Sequence, residues 1–359
     1  MKDSATGTGA GTAEDAPEGR VRLQFDPSAH SEQVHRDIST VTRHGEVLFL
    51  SCDETAGIER LVPVSGGWGG HAHLALGDFL DLPGGADGEM DIEGLAVDGD
   101  WLWFAGSQSL KRGKPDAEDP PGKRLDSMAR IKWDVNRQVI GRVPLERRED
   151  GVWPVGQDGP RRAAMLKPAK RGRLRKWLAG DPHLDAFLDI PSKDNGLDAE
   201  GLAARGDRLW LGLRGPVLRG HTVILEMRMK ETGDGWLKPR KLEDGRRYIK
   251  HLLPLGGHGV RDLALDGDDI LVLTGTPLDA GGRSAVWRWR DGTRVREGGV
   301  RPASEVALAR ALPYRGNTDN PEGLVRWDDA RWLITHDSPA AHRLGGDDAL
   351  EADLWCLEG

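Results

Sequence analysis

The sequence predicts an all-β fold, a five-bladed β-propeller, from three observations: a hairpin pattern that recurs five times, a high glycine content, and a spare strand-forming segment near the start of the chain. Glycine accounts for 49 of 359 residues, which is about twice its usual share of roughly 7%. The glycines follow no collagen-like period. Such a content predicts many tight turns, which a series of short hairpins requires.

Each copy of the repeated pattern contains a short apolar run, a turn at Gly or Asp, and a second run rich in Trp, Leu, Val and Phe. This pattern predicts a β-hairpin. The interval between the second and third copies is much longer than the others, which are similar to one another. The five sequences are DISTVTRHGEVLFLSCD from Asp37, DIEGLAVDGDWLWFAGS from Asp91, DAEGLAARGDRLWLGLR from Asp198, GVRDLALDGDDILVLTG from Gly259 and NPEGLVRWDDARWLITH from Asn320.

Alternating apolar segments after the hairpins predict a third strand in every unit and a fourth strand in most. The last unit has no fourth segment, so residues 21–25 (VRLQF) are expected to supply that strand and close the ring. Closure protects strand edges that an open array would expose. The predicted third strands are residues 58–64, 128–135, 223–229, 285–290 and 352–358, and the predicted fourth strands are residues 73–76, 138–145 and 248–255.

The long interval between the copies at Asp91 and Asp198 has two interpretations, an inserted segment or a sixth blade whose pattern is eroded. Residues 147–190 contain the stretch that decides between them, because its second half lacks the period-two pattern of strands. That half favours short helices interrupted at Pro168, Gly172 and Pro182. We therefore expect a helical, basic insertion at 147–190 in a five-bladed propeller, with a six-bladed propeller as the alternative.

The remaining organisation is simple: residues 1–20 are expected to form a disordered tail and residues 21–359 a single propeller domain. The tail is rich in small and charged residues and has no apolar stretch typical of a signal peptide, so a cytoplasmic location is expected. No apolar run approaches the roughly 18 residues that a membrane span needs, which argues against membrane association.

The charge balance limits the classes of partner. Fifty Lys and Arg against 58 Asp and Glu give a net charge of −8, which argues against a general nucleic-acid binder. Half of the run from Arg161 to Lys176 is basic; we interpret this run as a solvated helix face, with a polyanion-binding patch as the alternative. The expected partners are a small anionic molecule or a protein.

Residues that share a phase of the repeat are predicted to form rings around the central channel. Residues two apart on a strand point to the same side, so the first and third positions of each copy are expected to meet at one mouth of the channel. The first ring is Asp37, Asp91, Asp198, Gly259 and Asn320, and the second is Ser39, Glu93, Glu200, Arg261 and Glu322.

Several carboxylates at short range indicate a bound cation or shifted pKa values, because like charges cannot all remain ionised unaided. Hard oxygen donors suit Ca²⁺. The alternative is that the glutamates brace neighbouring blades, but Ser39 and Arg261 break the symmetry that a brace would keep. The candidate calcium ligands are Asp91, Glu93, Asp198, Glu200 and Glu322.

The ends of the second strands add candidate catalytic groups at the same mouth. His336 is a candidate general base beside Asp337, and Arg214 and Arg261 are candidate anion anchors. Asp53 and Glu54 are further acidic candidates. Together these residues indicate metal-assisted hydrolysis of a phosphoester or ester, and the alternative is a non-catalytic scaffold that binds a protein or polyanion.

Five motifs also carry a resemblance to a known family: DIEGLA from Asp91, DNGLDAEGLA from Asp194, LWLGLRGPVLRGHTVILEM from Leu209, GVRDLA from Gly259 and NPEGL from Asn320. With them the chain resembles, over nearly its whole length after Val21, the bacterial family known as domain of unknown function 3616. That resemblance implies no activity. The D-x-E-G-L repeats are more distantly similar to phytase-like and esterase-like propellers, which implies acidic channel residues that bind Ca²⁺, although Ser39 and Arg261 depart from that pattern.

Overall fold

The computed structural model describes residues 16–27, 34–52, 55–278, 281–316, 318–346 and 348–358. Residues 1–15 of the predicted tail lie outside the described residues. The first strand begins at Gly19, so the end of the segment assigned to the tail belongs to the folded domain.

The described chain is almost entirely β-structure with few helices. None of its described helices has both the length and the apolar composition needed to span a membrane. The strands are β1 (Gly19–Gln24), β2 (Ile38–His44), β3 (Val47–Cys52), β4 (Gly57–Val64), β5 (Gly67–Ala75), β6 (Ile92–Asp98), β7 (Trp101–Gly106), β8 (Lys111–Arg112), β9 (Ile131–Lys132), β10 (Ile140–Arg148), β11 (Gly151–Pro154), β12 (Gln157–Asp158), β13 (Arg161–Arg162), β14 (Ala164–Leu166), β15 (Asp198–Arg205), β16 (Arg208–Gly215), β17 (Thr222–Glu231), β18 (Trp236–Pro239), β19 (Ile249–Leu253), β20 (Gly259–Asp266), β21 (Asp269–Gly275), β22 (Ala285–Trp289), β23 (Gly299–Val300), β24 (Val306–Ala311), β25 (Asn320–Arg326), β26 (Arg331–Asp337) and β27 (Ala349–Cys356). The α-helices are α1 (Pro121–Ala129) and α2 (Arg173–Leu178), and the 3₁₀ helices are Val34–Arg36, Leu76–Asp78, Asn136–Gln138, Asp185–Phe187, Gly292–Arg294, Ala303–Glu305 and Ala341–Arg343.

The main strands pair into antiparallel units that follow one another along the chain. In order, these units are β2-β3-β4-β5, β6-β7-β10-β14, β15-β16-β17-β19, β20-β21-β22-β24 and β25-β26-β27-β1. The first strand of each unit packs mainly against the first strands of two other units, so that β2, β6, β15, β20 and β25 form a closed ring. This is the arrangement of a propeller-like fold.

The ring is completed by the N-terminal strand. β1 pairs antiparallel with β27 from Gly19 opposite Leu354 to Gln24 opposite Ala349, and Leu23 also pairs in parallel with Trp68 of β5. The pairing places the start of the chain as the outer strand of the last unit, as predicted for residues 21–25.

Glycines in the first strands allow these strands to approach closely. A Cβ atom at Gly94 would lie 2.8 Å from the Cβ of Leu202, and one at Gly201 would lie 2.7 Å from the Cα of Asp262. Gly201 also has a φ of +85°, which side-chain-bearing residues rarely adopt. The Gly of the repeated E-G-L motif is therefore required by the tight packing between neighbouring first strands.

Two expectations for the second unit are wrong. Residues 128–135 do not form its third strand: they contain the end of α1 and the short strand β9, while the third strand is β10, which pairs with β7 from Ile140 opposite Ala105. The segment 147–190 is only partly helical, since it contains α2 and one 3₁₀ helix but also β11, β12, β13 and β14. β14 is short and buried throughout, so it cannot show a strand period in the sequence.

We expect closure by β1 to contribute directly to stability, and a truncation of Leu23 tests this. Leu23 is fully buried, so Leu23→Ala should lower the free energy of unfolding by about 2–5 kcal/mol through lost burial and a residual cavity. Urea unfolding followed by tryptophan fluorescence measures the change. The neighbouring Gln24→Ala is the control, because Gln24 is exposed and its loss should have little effect; equal unfolding midpoints for the two variants would contradict the role of β1.

Candidate functional site

The candidate site lies at the end of the ring where the first strands begin, and we call this end the mouth. In each first strand the register with the second strand shifts near the third motif position, as between Ile38 and Thr40 or between Val260 and Asp262. Such irregularities are β-bulges, which re-aim side chains and are common beside active sites. The residues at or within these shifts are Ser39, Glu93, Glu200, Arg261 and Glu322.

Arg261 links two of the predicted glutamates. Its Nη1 lies 3.2 Å from Glu200 Oε2 and 2.5 Å from Glu322 Oε1. Its Nη2 donates a hydrogen bond of 3.3 Å to the carbonyl oxygen of Thr276. All three ionic side chains are buried, so Arg261 holds the carboxylates of two different units together.

Arg214 binds the other oxygen of Glu200. Its Nη1 lies 3.1 Å from Glu200 Oε1 and 3.8 Å from Asp198 Oδ2. Burial alone would lower the pKa of Arg214, but the negative charges of Glu200, Asp198 and Glu322 raise it above its usual range. Arg214 therefore stays charged, and its Nε is buried without a hydrogen-bond partner among the described residues.

The local backbone that positions Arg214 is built from two motifs of the sequence. A Cβ atom at Gly215 would lie 2.4 Å from the carbonyl oxygen of Gly196, so the LRGP and DNGL segments approach backbone to backbone. Asn195 Oδ1 also accepts a hydrogen bond of 2.9 Å from the backbone N–H of Val217. This close approach of the two backbones explains why each motif contains a glycine.

Arg137 is a third arginine at the mouth, and the sequence analysis did not identify it. Its Nη1 lies 2.7 Å from Asp91 Oδ2 and donates a hydrogen bond of 2.7 Å to Ser109 Oγ, and its Nη2 donates one of 2.5 Å to Glu89 Oε1. Arg137 lies in the 3₁₀ helix Asn136–Gln138, outside every phase of the repeat. No ring position in the sequence points to it, so the repeat pattern could not reveal it.

Asp198 is a buried carboxyl that titrates near neutrality. Burial, together with the negative charges of Glu200 and Asp91, raises its pKa to about 7 against the opposing effect of Arg214 and Arg137. Burial likewise raises the pKa of Asp91, against the attraction of Arg137. The mouth therefore contains at least one carboxyl that can exchange a proton at physiological pH.

Asp337 and His336 face different surroundings, because neighbouring residues on a strand point to opposite sides. Burial raises the pKa of Asp337, and the charge of Arg261 opposes this shift, which places Asp337 with the mouth. His336 Nε2 instead lies 3.9 Å from Asp353 Oδ2. Burial, followed by the charge of Arg343, lowers the pKa of His336 to about 3.

The structure therefore brings Asp337 together with the arginines of the mouth but gives His336 a separate set of charged neighbours. His336 is a neutral, buried imidazole at physiological pH, and the charged groups that act on its pKa include Arg343, Asp353 and Asp319. Asp53 and Glu54 lie outside the described residues.

Asp262 and Ser39 also link neighbouring units, through hydrogen bonds with the backbone. Asp262 accepts hydrogen bonds of 2.8 Å from the backbone N–H groups of Leu263 and Leu324, and Ser39 Oγ donates one of 2.8 Å to the carbonyl oxygen of Ile92. Burial raises the pKa of Asp262 well above its usual range. Glu200 and Glu322 join their units to a third unit through ion pairs with Arg261.

The predicted calcium ligands do not fit Ca²⁺ in this arrangement. Guanidinium groups stand against the carboxylates of Asp91, Glu200 and Glu322, where a cation would have to lie. In the described portion of the chain, no three His, Cys, Asp or Glu side chains are grouped so that they could hold a metal ion.

The raised pKa of Asp198 predicts a pH dependence of stability. Between its ordinary value of 3.8 and the folded value of about 7, the folded protein binds a proton that the unfolded chain does not, so this group's contribution falls as pH rises and is lost above that window. Asp198→Asn removes the titration. We expect the melting temperature of the variant to fall less between pH 5 and 8 than that of the unchanged protein.

Asp207→Asn is the matched control, because pairing with Arg228 keeps the pKa of Asp207 below its ordinary value despite partial burial. Asp207 is therefore ionised in both states over this pH range, and its removal should leave the slope unchanged. If the melting temperatures of Asp198→Asn and of the unchanged protein fell equally between pH 5 and 8, Asp198 would not titrate near neutrality.

The chain matches a known family in sequence, and its fold is distantly similar to those of several solved structures. No curated protein matches the chain in sequence. Glutaminyl cyclase from Myxococcus xanthus is similar with a TM-score of 0.39 and 10% identity, over 95% of this chain and 98% of that one. The Cps50 (Swd1) β-propeller domain from Myceliophteria thermophila is similar with a TM-score of 0.35 and 10% identity, over 95% and 98% of the two chains.

The family comparison covers most of the chain. The family model described as "Protein of unknown function (DUF3616)" matches residues 37–353, which include all the main strands of the ring except β1 and the end of β27. The chain therefore belongs to the DUF3616 family.

Proposed function

We propose that the protein is a five-bladed β-propeller hydrolase that cleaves an ester or phosphoester of a small anionic molecule at the mouth. The blade count is supported by the five antiparallel units and by the closed ring of their first strands. The proposed activity rests on one observation: Glu200 forms ion pairs with both Arg214 and Arg261, and Asp198 lies beside them.

The arginines suit the binding step. Arg214 keeps one buried N–H donor unsatisfied, and buried donors normally have a partner. A substrate oxygen that accepts this hydrogen bond would be oriented by a charged and fixed group. Because carboxylates outnumber arginines at the mouth, a substrate with a single anionic group fits better than one with many.

Asp198 suits the proton-transfer step. Ionised, it can accept a proton from a water molecule that attacks the carbonyl carbon or phosphorus, and protonated, it can return that proton to the departing alkoxide. The ester bond is broken, water supplies the oxygen of the acid product, and no other reactant is needed. A pKa near the working pH is the value at which both steps are efficient.

Replacement of Glu200 tests the proposed activity. Glu200→Gln removes the charge shared by two arginines, which would leave their guanidinium groups free to reorient, and we expect turnover of the best substrate from a panel of nitrophenyl esters, phosphoesters and lactones to fall at least about 100-fold. Circular dichroism and thermal unfolding check that the variant remains folded.

Glu226→Gln is the control for that experiment. Glu226 is also buried and pairs with Arg208 and His251, outside the mouth, so its replacement should reduce stability but not the rate of a folded enzyme. Equal loss of activity in both variants, or no turnover of any substrate by the unchanged protein, would contradict the proposal and favour the non-catalytic scaffold.

Thermal unfolding of EDTA-treated protein tests whether a cation such as Ca²⁺ binds at the mouth. A ligand at about 100 times its dissociation constant would stabilise the folded state by roughly 2.7 kcal/mol. Because arginines already face the carboxylates, we expect millimolar Ca²⁺, Mg²⁺ or Mn²⁺ to leave the melting temperature essentially unchanged. A rise of several degrees with Ca²⁺ that Asp198→Asn abolishes would instead establish a cation at the mouth.

A further inference from the structure

A second, strongly basic site lies away from the mouth, in a groove between α2 and the hairpin of β17 and β18. The groove has a volume of about 790 Å³, and among the residues that the structure describes it is lined by eight Lys and Arg and by no Asp or Glu. It shares no lining residue with the mouth. We call it the basic groove, and its cations include Lys238, Arg240 and Lys241.

Strand pairing brings two distant basic segments together to form this groove. β14 pairs in parallel with β18, with Met165 opposite Trp236 and Leu166 opposite Leu237. The basic run that starts at Arg161 therefore faces a second basic segment, Lys238–Lys241, which lies far along the sequence. The sequence alone favours a solvated helix face for the first run, because it gives no sign that the two segments meet.

The cations of the basic groove are poorly compensated within the protein. In the part of the chain that the structure describes, only Arg240 of the eight has an ion-pair partner, Asp207. Like charges that converge on one concave surface repel one another and create a positive potential that attracts anions. The groove is therefore suited to a ligand that carries several negative charges in a row.

The side chains that line the basic groove suit a ligand in which phosphates are joined to bases. Lysine, which supplies most of the unpaired cations, binds phosphate as a point charge without demanding a bidentate geometry. Trp177 lies half-buried in the lining of the same groove and offers an aromatic surface on which a base can stack. A cationic groove with an aromatic side chain is the combination that binds single-stranded nucleic acid.

We propose that the basic groove binds single-stranded nucleic acid through its backbone phosphates, with a base stacked on Trp177. The net charge of −8 argues against this partner only as an average over the chain. Attraction at a few ångströms depends on the local potential, because salt screens more distant charges within about 10 Å. The proposal does not depend on hydrolysis at the mouth.

Salt-dependent binding of a fluorescent 15-nucleotide oligo(dT) to the full chain tests the phosphate contacts. We expect measurable binding at 50 mM salt and a linear fall of log affinity with log salt. Lys238→Gln with Lys241→Gln should reduce the slope by about 1.4, since each phosphate contact with a single strand contributes about 0.7. Lys114→Gln with Lys132→Gln, two exposed lysines outside the groove, is the control and should leave the slope unchanged.

Competition experiments test the base contact. We expect an abasic oligonucleotide of the same length to bind at least about fivefold more weakly than oligo(dT), and Trp177→Leu to remove that difference, because stacking on one aromatic side chain is worth about 1–3 kcal/mol per base. Absence of binding at 50 mM salt, or equal slopes for the groove and control variants, would overturn the proposal. Equal competition by abasic DNA or inorganic polyphosphate would also overturn it, since the groove would then recognise phosphate chains alone.

Discussion

The first strands of neighbouring units approach so closely that a single methyl group does not fit between some of them, and the rest of the architecture depends on this contact. A Cβ atom at Gly201 would lie 2.7 Å from the Cα of Asp262 and 2.9 Å from the backbone nitrogen of Leu263. Interiors packed at this density cannot relax around added atoms. The same approach brings the bulged residues of different units within ion-pair distance, so Arg261 reaches Glu200 and Glu322.

At the mouth, burial disfavours the ionised carboxylates, and the nearby arginines stabilise them. Removing an ion from water is costly, and a buried pair is favourable only when its geometry and hydrogen bonds are good. Glu200 meets this condition because separate oxygens face Arg214 and Arg261. Asp198 does not, since its nearest guanidinium is 3.8 Å away, and its pKa of about 7 is the consequence. The imperfect pairing of Asp198 is what allows this carboxyl to bind a proton near neutral pH.

The repeat phases predicted the positions that form the mouth, because the period of a strand fixes which side chains share a side. They could not identify Arg137, which enters from a 3₁₀ helix, or reveal that Asp262 binds the backbone of the next unit. His336 and Asp337 were grouped together from their adjacency, although adjacent residues on β26 must face opposite sides. The strand β14 and the basic groove depend on pairing between distant segments, which a local pattern does not contain.

The two proposed sites have opposite local charge, and this separates their ligands. The mouth has more carboxylates than arginines, so each additional negative charge on a ligand there adds repulsion in a region of low dielectric constant. The basic groove has no acidic lining residue, so each additional phosphate there adds attraction. A nucleic acid held in the groove is thus a poor substrate for the mouth, and a small ester gains little from the groove. Binding at the groove would place the protein on a nucleic acid while the mouth remains open to a different molecule.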